Sequence, residues 1–428
     1  MVLHGLIDQK VQVVSYCCDG TEVERSVQRL LIESADRKEA YSIQNPRAHS
    51  PDTKFTIIVI HGQRVVILQD SKHALKTSCN NFFSGARCLA FGNYVMLYQT
   101  IHQVTFEEGS PLYHRDVERL DRQDDNAASC LFSADVLQFF SDHHPEQIGE
   151  IVFLFVFGEL IDAYQNRSIP HSERLQMVLR ARYFLDRWEI FLLHGAYQKS
   201  RYFLSREAID IFRIIIKGYI ALMHLYRDHL DGIAPLLPWL HSTEGCEHVF
   251  GEARKIIEDF NLLDFLYMVP KLRVNLHWAV LNSKLSDPKA TASGYNHTYF
   301  DTRDIDLLAL ATFPDDAQIT KLAESAAQEA DSLVSLLGIQ PALLQRLQHL
   351  TTLANVDSWI LLDSSDSDSL KLDEIDSDDD MISVTAQIQE ILDREQDPPS
   401  SRTARQDQQI LELTCAALSL TIEEMSDL

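Results

Sequence analysis

Short apolar runs come first along this chain, and long helical repeats follow. Residues 11–18, Val-Gln-Val-Val-Ser-Tyr-Cys-Cys, are rich in β-branched side chains and stop at Asp19-Gly20, which predicts a buried strand and a turn. Thr21 then precedes Glu24 by three positions, the spacing of a capping box, and Val23, Val27, Leu30 and Leu31 recur at helical intervals. The reading is mainly helix over 21–40, followed by polar, proline-containing chain to Asp52. Residues 55–60 and 65–68 read as two strands divided by His61-Gly62. A helical pattern begins just after Asp70, and 94–98 is a further strand. From about 129 to 277 one three-and-four repeat succeeds another, punctuated by Pro170, Pro235, Pro238 and Pro270. Residues 315–337 form an amphipathic helix with Gly338 as its C-cap, and 408–425 a short terminal one. The expected class is α+β, mostly helical, without a regular βαβ alternation.

Charge divides the chain differently. The net charge is -25, and residues 281–428 hold 28 acids and 9 bases, so 19 of those negative charges lie there. The first 280 residues carry only -6, and a chain this acidic is a poor charge-driven binder of nucleic acid. Residues 357–380 contain ten acids and one base among serines, a composition that predicts disorder. Seven cysteines without a CxxC pair read as reduced thiols of an intracellular protein. No apolar run reaches about 18 residues and no signal-peptide pattern opens the chain, so no membrane association is expected.

Three acids stand at predicted element ends: Asp19 and Asp70 after strands, and Glu247 on a late helix. Carboxylates in such places can hold Mg²⁺ or Mn²⁺ against a phosphodiester, although Asp-Gly is also a common turn and Asp70 a natural helix N-cap. His241, Glu244 and His248 stand three and four apart, but H-E-x-x-H and a further ligand are missing, so they read as supporting or surface residues rather than a zinc site. Cys246 lacks the partners of a nucleophile.

In combination these segments are similar to P element-type transposases and their THAP-domain relatives. Residues 13–20 resemble the family's strand ending in C-D-(G/Q). Asp70, His73 and Lys76 resemble its D-x-x-H-x-(L/I)-K, with Asn80-Asn81 following. Asp162, Asn166 and Arg167 loosely match a D-x-x-N-x-R helix. Thr243, Glu247, Phe250 and Arg254 match T…E-x-x-F-x-x-x-R, with Glu244-Gly245 in place of the usual Gln-Asp. The resemblance implies a ribonuclease H-like core interrupted by a helical insertion. Asp70 would then be the second catalytic carboxylate and Glu247 the last, together holding Mg²⁺ or Mn²⁺, with Asp19, His73 and Lys76 as motif residues. It also implies DNA as partner and residence in the nucleus. The first catalytic aspartate has no counterpart before residue 11, so an N-terminally truncated copy is expected, unless Asp19 itself fills that place. No THAP-type zinc pattern is present.

The domains expected are a partial core (1–100), a helical insertion (101–240), a helix returning to the core (241–280), a helical C-terminal region (281–356) and an acidic tail (357–428). In the tail, Trp359-Ile360-Leu361-Leu362 precedes acids and serines, which resembles a SUMO-interacting strand. Ser365 and Ser377 each have an acid three residues on, as casein-kinase sites do. The expected function is that of a transposase-derived protein with a degenerate or truncated nuclease core, inactive on its own; the alternative is a non-catalytic interaction protein working through its helices and tail.

Overall fold

The computed structural model describes residues 2–83, 87–118, 125–230, 234–282 and 305–353. The chain divides into two units, Met1–Leu193 with Tyr197–Gln348, and His194–Ala196 with His349–Leu428. Of the second, only 194–196 and 349–353 are described, so the predicted acidic tail and Trp359 to Leu362 lie outside the described residues.

The first unit opens with α1 (Val2–Asp8), β1 (Ser15–Cys18), α2 (Glu22–Glu33), β2 (Arg37–Ile43), β3 (Thr53–Ile60), β4 (Gln63–Gln69) and α3 (Ser71–Phe83). A hairpin follows, β5 (Leu89–Phe91) and β6 (Tyr94–Met96), then the short helices α4 (Tyr98–Val104), α5 (His114–Glu118), α6 (Asp125–Leu131) and α7 (Ala134–His143). The long helices are α8 (Ile148–Gln165), α9 (His171–His194) and α11 (Arg206–Asp228), with α10 (Lys199–Tyr202) between the last two. Beyond them come α12 (Glu244–Arg254), α13 (Leu262–Asn282), α14 (Asp316–Leu336) and α15 (Pro341–Leu353). The protein is therefore α+β and mostly helical.

The four-stranded sheet has the order β1-β4-β3-β2. β1 lies parallel to β4, with Cys18 opposite Gln69, while β4, β3 and β2 form an antiparallel meander. The predicted break at His61-Gly62 is a two-residue hairpin turn, with φ of 46° and 80°. Two consecutive positive φ values match the right-handed twist of the flanking strands. The region read as helix running into polar coil holds β2 instead. Its alternation is mostly polar, Arg-Lys-Glu-Ala-Tyr-Ser-Ile, because it is the sheet's edge and needs few apolar side chains.

The capping box of α2 forms as read: Glu24 N donates to Thr21 Oγ1 at 3.3 Å and Thr21 N to Glu24 Oε2 at 3.1 Å. Leu31 and Ile32 of this helix pack on Ile58, Ile60 and Val65, but its most deeply buried side chains are polar. Arg25 and Gln28 are buried while Val23 is 73% exposed and Leu30 61%. Arg25 reaches Glu207 at 3.1 Å and the Gly20 carbonyl at 3.1 Å, and Gln28 donates to the Leu68 carbonyl at 2.6 Å.

The core joins sheet and helices. α11 crosses β4 and β3, and Gly218 lets it approach, since a Cβ there would stand 2.3 Å from Leu68 Cδ2. Around it α8 and α9 bury Phe153, Phe157, Tyr164, Phe184 and Trp188, whose Nε1 donates to the Ala90 carbonyl at 2.7 Å. Arg174, fully buried, donates to the carbonyls of Ala163 (2.6 Å), Ile169 (2.8 Å) and Asn166, closing the C-terminus of α8. α14 carries a capping box between Asp315 and Gln318 and is tied to α9 by Arg187–Asp331 at 2.6 Å and Arg180–Glu329 at 2.6 Å. Pro270 does not end a helix as read; it lies inside α13.

Candidate functional site

Because β1 and β4 are parallel neighbours, the residues that follow them emerge at the same sheet edge. These are Asp19 and Asp70, and the Asp70 N–H still donates to the Cys18 carbonyl at 2.9 Å. In an open sheet this carboxyl end is where ligands bind. The first turn of α12 comes to the same edge.

Asp70 is buried, at 2% exposure, and both its carboxylate oxygens are engaged. Oδ1 accepts from the backbone N–H of Lys72 at 2.7 Å and of His73 at 3.4 Å, capping α3. Oδ2 accepts from the Thr243 N–H and from Thr243 Oγ1, each at 2.7 Å, where α12 begins. One side chain thus anchors two helix N-termini, where unpaired N–H groups and the helix dipole favour an anion. Asp19 is half-buried: Oδ2 lies 3.3 Å from His73 Nε2, and Oδ1 is buried without a hydrogen-bond partner. Lys76, one turn beyond His73, is buried on α3.

Glu247 sits in the first turn of α12, is exposed, and donates its backbone N–H to the Thr243 carbonyl at 3.1 Å. The structure therefore brings Asp19, Asp70, His73 and the start of α12 to one edge. Lys72 and Glu244 join them through an ion pair at 2.9 Å, and His248 lies 3.4 Å from Glu244. The pairing of Lys72 with Glu244 was not expected here; the sequence held only their opposite charges, 172 positions apart. His241 precedes α12 rather than sharing its face with Glu244 and His248. Its Nδ1 lies 2.8 Å from Ser15 Oγ and its Nε2 3.4 Å from Tyr226 OH, and burial lowers its pKa to about 4, so the ring is neutral. Cys246 is exposed.

The remaining motif positions lie on α8 and the turn after it, where Gln165 Nε2 donates to Ser71 Oγ at 2.6 Å, and at the end of α12. Asn166 caps the C-terminus of α8, its N–H donating to the Asp162 carbonyl at 3.0 Å and its Oδ1 accepting from Ser168. Arg167 stacks over Trp239, 5.5 Å from the ring centre. Arg254 ends α12 and is exposed. For Asn166 and Arg167 these are turn and packing roles.

A divalent ion needs several carboxylate oxygens converging on one point. Asp70 has both of its oxygens committed to N–H and O–H donors, and among the described residues no group of three or more His, Cys, Asp or Glu side chains is arranged to hold a metal. The donor set does not fit Mg²⁺ or Mn²⁺. Among the described residues no helix is long and apolar enough to cross a membrane.

No protein-family model matches the chain, and no curated protein matches it. Among solved structures, the Drosophila P element transposase strand transfer complex is similar, with 15% identity and a TM-score of 0.44. The match covers 62% of this chain and 61% of the transposase chain, so this chain spans under two thirds of that protein's length.

Proposed function

We propose that this chain is a transposase-derived protein with a degenerate ribonuclease H-like core, in which the strand-end carboxylates hold the fold together and catalyse no DNA chemistry. The observation that carries this reading is the saturation of Asp70 by donors from α3 and from the start of α12. A carboxylate in that position serves as a double helix cap, and releasing it to a metal would leave partly buried N–H groups unpaired. The transposase ancestry rests on the order of the motifs at Asp19, Asp70, Glu247 and Arg254. The working role is then that of a non-catalytic interaction protein. DNA as a partner and nuclear residence follow from the resemblance alone, and the 359–362 run is the proposed docking strand for a SUMO-like modifier.

The test is strand cleavage and joining on labelled duplex DNA with Mg²⁺ or Mn²⁺, using the full chain. Negligible turnover is expected, together with a lower melting temperature for Asp70→Asn. A second reading is favoured by the unpartnered Asp19 Oδ1: Asp19 as a true metal ligand. Metal-dependent strand transfer abolished by both Asp19→Ala and Glu247→Ala would establish it and overturn the first.

A further inference from the structure

α12 and α13 pack on each other through a small core of their own, Ala253, Met268 and Leu272, with Phe265 and Leu276 beside them. The opposite side of α13 is also apolar. Leu263, Leu266, Tyr267, Val274 and Trp278 are all between 58% and 79% exposed. At 100° per residue these five and Pro270 form one continuous stripe along the helix. Soluble monomers rarely expose apolar patches beyond a few hundred Å².

We propose that this stripe is the interface of a homodimer, in which α13 packs antiparallel against α13 of a second copy about a two-fold axis. The stripe is self-complementary in that arrangement. With the axis between Met268 and Val269, Leu263 of one copy meets Val274 of the other, and Tyr267 meets Pro270. A two-fold contact presents the same patch from both sides, so each such pair occurs twice. The flanking charges agree. Asp264 and Lys271 lie two turns apart on the same flank of the stripe, and an antiparallel two-fold brings like flanks together. Asp264 of each copy then faces Lys271 of the other. A parallel two-fold would set this flank beside the opposite flank of the second copy, and the pair would not form. Among the described residues the Asp264 carboxylate accepts one bond, at Oδ2 from Asn261 N at 3.1 Å, which leaves Oδ1 for the partner.

The experiment is sedimentation equilibrium of the full chain. A dimer is expected, and Tyr267→Glu should convert it to monomer without loss of helical circular dichroism, since Tyr267 is 79% exposed. Asp264→Lys should weaken association roughly tenfold, and the double change Asp264→Lys with Lys271→Asp should restore it. A chain that stays monomeric, or a dimer indifferent to Tyr267→Glu, overturns the proposal. Failure of the charge swap to restore association overturns the antiparallel register.

Discussion

Two sets of helices of similar length occupy this protein in different ways. α8, α9 and α11 are buried on nearly every side, with Trp188, Arg174, Tyr164 and Tyr219 among the largest fully enclosed side chains. α13 is as long as they are, yet of its described side chains only Met268 and Leu272 are buried, and Leu262, Leu263, Leu266, Tyr267, Val274 and Trp278 stand outside. Both sets are apolar at helical intervals. The difference lies in what surrounds them: α11 has a sheet beneath it and α9 and α14 beside it, whereas among the described residues α13 packs chiefly on the short α12. An apolar helix face is thus a demand for a partner, and the bundle meets that demand within the chain.

The sharpest way to test the contrast is to remove a large side chain from the bundle. Trp188→Ala should cost about 3–5 kcal/mol in denaturant titrations, through lost packing and the orphaned Ala90 carbonyl. Acid should act on the same region. His171 is fully buried, with Nδ1 2.9 Å from Tyr219 OH and Nε2 2.9 Å from the Leu310 carbonyl, and burial lowers its pKa to about 4. Its unfolded pKa is near 6.5, so the unfolded chain takes up the proton first. Stability is unaffected by this group above about pH 6.5 and falls as pH drops toward 4, by roughly 3 kcal/mol. His171→Asn should flatten that part of the pH profile even if it lowers stability at pH 7.

Asp70 is the joint between the two regions. Asp70→Ala should cost about 2 kcal/mol, since each lost cap is worth about 1. Hydrogen exchange should accelerate at the starts of α3 and α12 while α8, α9 and α11 keep their protection. Rapid exchange throughout the bundle would show that the regions are not separable. The smallest effect is expected at the outer face of α13, where Tyr267→Ala should change the stability of the folded subunit by no more than about 0.5 kcal/mol.

Much of this architecture was written locally. The Thr21–Glu24 capping box, the Asp315 start of α14 and the His61-Gly62 turn were all identifiable because each works through neighbours within a few positions. The apolar runs of β3 and β4 were equally plain. β2 was not, because an edge strand with a mostly polar alternation carries no strong signal. Within the candidate site, Asp19, Asp70 and Glu247 were singled out by type and position, but the ion pair of Lys72 with Glu244 had no local trace.

The amino-acid sequence by itself determined where many helices and strands begin, because caps and turns are decided by hydrogen bonds between near neighbours. Only the tertiary structure decided which face of each helix is inside. α2 turns Arg25 and Gln28 inward because Glu207 on α11 and the Leu68 carbonyl on β4 await them, leaving Val23 and Leu30 in solvent. It likewise decided what Asp70 does. A strand-end aspartate can ligate a metal or cap a helix, and the choice belongs to Thr243, which lies 173 positions away and supplies two of the four hydrogen bonds to its carboxylate.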